Sequence, residues 1–319
     1  MAAEQPDLVR NIRREAARLG FAAIGFSAPQ KQATAIERYE QMIREKRHGD
    51  MTFLEKHLQE RAKPEILLPG LKTIISTAIS YNHHLDTVSG KPKISRYALA
   101  GDYHVIIRSK LEELGNFLKT LFDEPLKTAV AVDSSPVLEK AWAEQSGIGR
   151  TGKNTLLIVP SAGSYIFLGE LLIDREITDM KPPLPYPCGG CSACMENCPT
   201  GALAEAGKLD ATKCISYLTI ELKREFTPVE AEMIGENLFG CDRCQEVCPY
   251  NMQALVKAEK SFYQNRNLLD ITTESILNLT KSGFSDLFSD TPVYRIGLRR
   301  LKRNARAVAE NISGRKKAQ

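Results

Sequence analysis

The sequence predicts an α+β protein in two units, and three observations carry that prediction. Helical and strand-like segments follow one another in a mixed order that fits a sandwich better than a doubly wound parallel sheet. Two of the strand-like runs are separated only by a short turn, which implies an antiparallel pair. All eight cysteines lie between Cys188 and Cys248, behind a proline-rich link, and mark a second unit.

Taken in order, Leu8, Ile12, Ala16 and Leu19 recur at helical spacing, and Gly20 can end that helix. Phe21–Phe26 reads as a short strand, Ala35–Lys46 as a helix, and Met51–Leu68 as helix and loop broken by Pro64 and Pro69. Thr73–Ser80, rich in Ile and Thr, is a strand, and His83–Pro92 a loop. A long helix is expected over Asp102–Phe122, with Val105, Leu111, Leu114, Leu118 and Leu121 on its apolar face. Leu126–Val132 is the next strand, ending at Asp133. Ser134-Ser135-Pro136 then reads as a serine-capped helix start running to about Gln145. Asn154–Val159 and Tyr165–Ile173 are expected to form a hairpin around Ser161–Gly163. The link Lys181–Pro187 divides a unit over 1–180 from a cysteine unit over 181–255. A helical segment over 256–319 ends in a basic helix, Gly297–Asn311.

The cysteines carry the most specific signal. Cys188, Cys191, Cys194 and Cys198-Pro199 follow the bacterial ferredoxin run C-x2-C-x2-C-x3-C-P. Cys241, Cys244 and Cys248-Pro249 repeat its later spacings, with Cys214 standing for the first cysteine. Such runs pass their fourth cysteine to the other cluster. One 4Fe-4S cluster therefore takes Cys188, Cys191, Cys194 and Cys248, and the other Cys198, Cys214, Cys241 and Cys244. Structural zinc is the rival, but zinc sites use separated cysteine pairs rather than four thiolates within one short run. No C-x3-C-x2-C of a radical-SAM cluster occurs.

At 319 residues and 43% hydrophobic content, the chain can build real cores. No apolar run approaches a membrane span, and Arg13-Arg14 lacks the apolar region of a twin-arginine signal. With all cysteines assigned to clusters, none remains for a disulfide, and a cytoplasmic location is expected. From Arg295 to Lys317 nine basic residues face one acidic residue, a net of +8 within a protein of net +4. A basic segment on an otherwise acidic body suggests a polyanionic partner, although a solvated tail would look the same.

Gly147-Ile-Gly149-Arg-Thr-Gly152 matches G-x-G-x-x-G, and with Lys153 it nearly spells a P-loop. Here a helix precedes and a strand follows, the reverse of a phosphate-binding turn. The glycines instead suggest a turn where the backbone closely approaches something bulky. No two of the five histidines make a zinc pair on a helix face. Asp102, Tyr103 and His104 form a polar, aromatic group before a helix, in which Asp102 could simply be the cap. Asp133 ends an apolar strand, where burial would raise its pKa and suit a proton donor; capping the next helix is the plain alternative.

Taken together, Arg96-x6-Tyr103-His104, Val132-Asp133, Glu144–Asn154, Gly163-Ser164-Tyr165, Cys214-Ile-Ser216 and the two cysteine runs resemble the epoxyqueuosine reductases, over essentially the whole chain. That resemblance implies a nitroreductase-like domain holding cobalamin, followed by a ferredoxin-like domain with two 4Fe-4S clusters. It implies removal of the epoxide oxygen of epoxyqueuosine, as water, at the tRNA wobble position, using two electrons and two protons. It casts Asp133 as proton donor. Arg61, Ser95 and Ser216 become corrinoid contacts, Leu157 and Leu168 pack against the macrocycle, and Lys153 and Asn154 reach its polar edge. Ser216 follows closely on Cys214, which would bring the second cluster nearer the cobalt. Tyr103, His104, Lys223 and Arg224 are the expected tRNA contacts.

The implied partners are tRNAs of the Tyr, His, Asn and Asp acceptors and an external reductant such as ferredoxin or flavodoxin, with a monomeric protein. The D-x-H-x-x-G pattern of other corrinoid enzymes is absent, since Asp102-x-His104 leads to Ile107 rather than Gly. A base-off cobalamin without a histidine ligand is expected. Longer relatives are expected to continue into a helical-repeat segment, leaving more of the tRNA grip to the basic helix here. The rival readings are a plain electron carrier, a corrinoid reductive dehalogenase, and an RNA-binding module with structural clusters.

Overall fold

The computed structural model describes residues 5–83, 90–179, 181–254, 258–262 and 265–318. Its strands in chain order are β1 Ala23–Ser27, β2 Thr73–Ser80, β3 Lys93–Ile94, β4 Thr128–Ala131, β5 Arg150–Thr151, β6 Leu157–Ile158, β7 Ile166–Ile173 and β8 Asn237–Phe239. Four of them make one sheet in the order β1-β2-β7-β4, with every neighbouring pair antiparallel. Ile75 pairs with Leu171 and Ser76 with Glu170, so a one-residue slip would turn both strands' side chains to the wrong layers. Helices cover both faces. The helices Gln5–Arg18 and Tyr103–Lys119 pack on one side through Ile12, Ile107, Leu111 and Leu114. On the other side the Glu139–Gln145 helix carries Trp142 against Ile74 and Leu172. This is the α+β class the sequence predicts.

Three local expectations are corrected. Asn154–Val159 and Tyr165–Ile173 do not form a hairpin: β6 pairs with β5, and β7 runs between β2 and β4. Only Val159 and Gly163 bridge within the intervening turn. The serine-capped start at Ser134 is not used; the helix begins at Glu139 after a turn in which Val132 N–H donates to Ser135 Oγ at 3.3 Å. Val105 is 67% exposed, because the buried stripe of its helix runs through Ile107, Leu111, Leu114 and Leu118 instead. Burying one such side chain stabilises by about 1.5–3 kcal/mol, so the four together fix the helix's rotation. The loop expected over His83–Pro92 falls mostly on 84–89, outside the described residues.

The first unit is bonded directly to the cysteine unit. β3 pairs in parallel with β8, and Arg96 N–H donates to Asp242 Oδ2 at 2.7 Å. Ser164, Gln245 and Asn251 form a buried knot in which Ser164 N–H donates to Asn251 Oδ1 at 2.6 Å and Ser164 Oγ donates to Gln245 Oε1 at 3.1 Å. Gly163 enters this knot at φ +69°, where an added Cβ would lie 2.1 Å from Asn251 Oδ1. Gly163→Ala should therefore destabilise by about 1–3 kcal/mol, through overpacking and positive-φ strain together. Urea melts of the two proteins check it; equal midpoints would show that the knot is looser than described.

The basic helix, Gly297–Ala318, does more than carry charge. Arg303 is 3% exposed, lies over the Phe226 ring at 4.0 Å, and donates to the carbonyls of Leu218 and Leu222 at 3.0 and 2.7 Å. Arg300 donates to Ile220 O at 2.8 Å, and Asn304 to Thr219 O and Leu238 O at 2.8 and 3.0 Å. These donors satisfy the carbonyl end of the Ile215–Ile220 helix. Part of the basic run is thus an internal clamp rather than a solvated or RNA-facing tail. The side chains of 315–317 lie outside the described residues.

Candidate functional site

The acid end of the site is built where β4 meets the Tyr103–Lys119 helix. Asp102 caps that helix, accepting from His104 N–H at 2.9 Å, and the same oxygen meets His104 Nδ1 at 2.7 Å. His104 Nε2 meets Asp133 Oδ2 at 2.8 Å. The imidazole is thus held between two carboxylates. The Tyr103 ring stacks on His104 and on Phe167, with centroids 4.1 and 4.2 Å apart, and its hydroxyl donates to Asp133. Asp133 itself sits at φ +44°, uncommon for a residue with a side chain. Its backbone N–H donates to Glu139 Oε1 at 2.7 Å. It does not cap the following helix, so that plain alternative fails; the capping expected of Asp102 is present and coexists with its hold on His104.

The electrostatics differ from expectation in one respect. The expected burial is only partial, since the Asp133 side chain is 55% exposed; desolvation raises its carboxyl, but the hydrogen bond and charge of His104, helped by Tyr103, outweigh it, and the group lies below the ordinary aspartate value. The Asp133 hydrogen bond in turn raises His104, with Asp102 adding to it against burial. The proton of this pair therefore rests on the imidazole. Behind it, burial pushes Glu139 up to about 7, aided by the charge of Asp133 and opposed by the bond from its backbone N–H. Glu170, fully buried in the middle of β7 with neither carboxylate oxygen hydrogen-bonded, is raised well above the ordinary value by burial and by Glu139.

A raised group favours its protonated form, so Glu139 supports the fold below about 4.5 and loses that support as pH rises through about 7. His104 behaves alike above its ordinary value, whereas Asp133 loses its contribution only in strong acid. Thermal stability should fall between about pH 5 and 8, and Glu139→Gln should remove part of that fall. Melting curves of both proteins at several pH values check it; an undiminished slope in the variant would count against the raised carboxyl.

Cys188, Cys191, Cys194 and Cys248 line one cavity of about 240 Å³, together with Lys153, Asn154 and Tyr250. Cys214 lies within electrostatic reach of Cys198, and Cys241 and Cys244 within reach of Cys214. The fourth cysteine of each run therefore faces the other group. Cys198 also accepts hydrogen bonds from the backbone N–H groups of Thr200, Leu203 and Ala202, which bring its thiol below the ordinary value despite burial. The cavity suits a thiolate-held cubane.

The remaining candidates are dispersed. Lys153 lies against the first group: its N–H donates to Cys188 Sγ at 3.3 Å and its Nζ to the carbonyls of Gly189 and Cys191 at 3.0 and 2.8 Å. Asn154 is buried and reaches Cys244 O at 3.5 Å. The bulky neighbour anticipated for the glycine turn is thus partly a thiol, since a Cβ on Gly152 would lie 3.3 Å from Cys188 Sγ. Ser95 is buried beside Asp242, and Ser216 hydrogen-bonds Cys214, so both adjoin the second group. Leu157 and Leu168 share one apolar cluster with Ala78 and Ala143, although Leu157 is only 3% exposed. Arg61 stacks over Tyr39 at 5.1 Å with its buried Nε lacking a hydrogen-bond partner. Arg224 is engaged by Glu230 at 2.7 Å, while Lys223 borders a separate groove.

Comparison with known proteins agrees with this geometry. Residues 187–251 match the family model described as a 4Fe-4S double cluster binding domain, and residues 61–134 the one described as epoxyqueuosine reductase QueG. The epoxyqueuosine reductase of Leadbetterella byssophila is 38% identical over 95% of this chain and 99% of its own length. The chain belongs to the epoxyqueuosine reductase family. The relative from Salmonella typhimurium is 35% identical, and the match covers 80% of its length. A crystal structure of selenomethionine-labelled epoxyqueuosine reductase superposes with a TM-score of 0.90 at 27% identity, over 97% of this chain and 83% of that one.

Five contributors escaped the sequence reading: Glu139, Glu170, Arg295, Phe167 and Asp242. Burial pushes Asp242 up to about 6, against the hydrogen bond from Arg96 N–H, and the side chain joins the two units beside Cys241. Arg295 bonds Glu221 and lowers Asp133 through its charge. Glu170 did carry a signal, as the one charged residue inside Ile166–Ile173.

Proposed function

We propose that this chain reduces epoxyqueuosine to queuosine at the wobble position of tRNA, the last step of queuosine biosynthesis. The observation that carries the reading is His104 clasped between Asp102 and Asp133 in a family member that matches the model of a 4Fe-4S double cluster binding domain. A solved epoxyqueuosine reductase bound to an epoxyqueuosine-modified tRNA-Tyr stem loop, 28% identical with a TM-score of 0.87 over 97% of this chain and 82% of that one, supports the substrate. The relatives do not favour a dehalogenase or a simple electron carrier.

Opening the epoxide to the alkene consumes two electrons and two protons and releases the oxygen as water. Asp133 is the group that meets the departing oxygen, and His104 Nε2 returns a proton to it, so the acid is the pair rather than the aspartate alone. Tyr103 and Asp102 hold the pair in register. Glu139 fixes the backbone of Asp133 and stands as a second carboxyl of raised pKa behind it.

The nitroreductase-like domain would hold cobalamin. Arg61, with an unpartnered buried Nε, fits a polar group of such a ring, and Leu168, only partly buried, an apolar face of it. Ser95 and Ser216 fit contacts between that ring and the second cluster. When bound, the corrinoid would supply a low-potential metal, and the two 4Fe-4S clusters of the ferredoxin-like domain would supply single electrons from ferredoxin or flavodoxin. We take the protein to act as a cytoplasmic monomer on tRNAs of the Tyr, His, Asn and Asp acceptors. Among the described residues no helix is long and apolar enough to cross a membrane. The test is mass analysis of an epoxyqueuosine-containing anticodon stem-loop after incubation with reductant and the reconstituted protein. Loss of one oxygen atom is expected; an unchanged mass overturns the reading.

A further inference from the structure

A groove of about 610 Å³ is bordered by Lys223, Lys281, Tyr294, Arg299 and Arg300. Its position follows from the chain. Asp102 N–H donates to Asp290 O at 2.7 Å, so the segment leading into the Pro292–Ile296 turn is bonded to the start of the His104 helix. Arg295, on that turn, reaches Asp133, Tyr97 and Tyr103 electrostatically, while Tyr294 beside it lines the groove.

Phe284, Ile296 and Leu298 also line the groove, and its charged residues are all cations. Lys223, Lys281 and Arg299 form no ion pair among the described residues, whereas Glu221 bonds Arg295 and attracts Arg300 beside them. A cluster of cations left unneutralised by the protein is a site for polyanion. Tyr294 is 44% exposed and stacks on the buried Phe284, centroids 5.3 Å apart at 17°. One ring face is thus fixed and the rest is presented to solvent, a platform of the kind on which unpaired bases stack.

We propose that this groove holds an unpaired nucleotide of the RNA loop neighbouring the one delivered to Asp133, its base on Tyr294 and its phosphates against Lys223, Lys281 and Arg299. The inference rests on the proposed tRNA substrate and adds a second contact that sets the loop's approach. An acidic peptide would satisfy the cations but leaves the aromatic platform without a role.

The test uses the reconstituted holoenzyme and the epoxyqueuosine stem-loop, with binding followed by fluorescence anisotropy across a salt series. Tyr294→Ala should weaken binding about tenfold, while Tyr294→Phe, which keeps the ring face, should bind as the parent does. Lys223→Gln, Lys281→Gln and Arg299→Gln combined should flatten the slope of log affinity against log salt by about 2, at roughly 0.7 per phosphate contact on a single strand. In steady state the losses should fall on KM rather than kcat. If the parent deoxygenates the stem-loop and the variants bind it with unchanged affinity and salt slope, the groove is overturned and the substrate reading stands. If the parent neither binds nor deoxygenates it, both fall. Displacement of the stem-loop by polyglutamate at equal charge concentration would also overturn the groove as an RNA site.

Discussion

Asp133→Asn should lower deoxygenation by about 10²–10⁴-fold, the range spanned by a positioned general acid, while cluster content and RNA affinity hold. The amide fills the same volume and can still accept from His104 Nε2. It cannot pass a proton to the departing oxygen, and without the carboxylate His104 loses the first of the two partners that keep it protonated. His104→Gln should cost less, because Asp133 can then recharge from water. Single-turnover rates with pre-reduced protein isolate this step from electron supply. A full rate in Asp133→Asn would show that the oxygen takes its proton elsewhere, with Glu139 next in line.

The second large effect concerns the crossing of the cysteine runs. Cys248→Ala should abolish the cluster held by Cys188, Cys191 and Cys194, and Cys198→Ala the one held by Cys214, Cys241 and Cys244. Each variant should retain about four of about eight irons, with turnover lowered in proportion to the electron supply that the missing cluster would have given. Paired spectra decide the assignment. Cys248→Ala should match Cys194→Ala, and Cys198→Ala should match Cys241→Ala. A Cys248→Ala spectrum matching Cys241→Ala would mean that each run keeps its own fourth cysteine.

What could be read from the sequence was what short-range spacing encodes. The cysteine runs announced a 4Fe-4S binding segment, and residues 187–251 match the model of a double cluster binding domain. Thr73–Ser80 was legible because a β-branched run buried on both sides has one stable form. The supposed hairpin failed because β7 chooses partners far along the chain, β2 and β4, which no local turn announces. Asp133 stood out as a carboxyl ending an apolar strand, yet the direction of its pKa was hidden. Its controlling partner, His104, comes from another element 29 residues away. Likewise the count of positive charges in the last helix gave no sign that Arg300 and Arg303 turn inward to carbonyl groups.

If two clusters feed a corrinoid seated beside the Asp133–His104 acid, as proposed, binding stoichiometry must show it. After reconstitution with iron, sulfide and cobalamin, followed by desalting, the protein should hold about eight irons and about one corrinoid per chain. Its cob(II)alamin electron paramagnetic resonance should lack nitrogen splitting from an axial ligand. Protein that carries its full iron but releases all cobalamin would contradict the account.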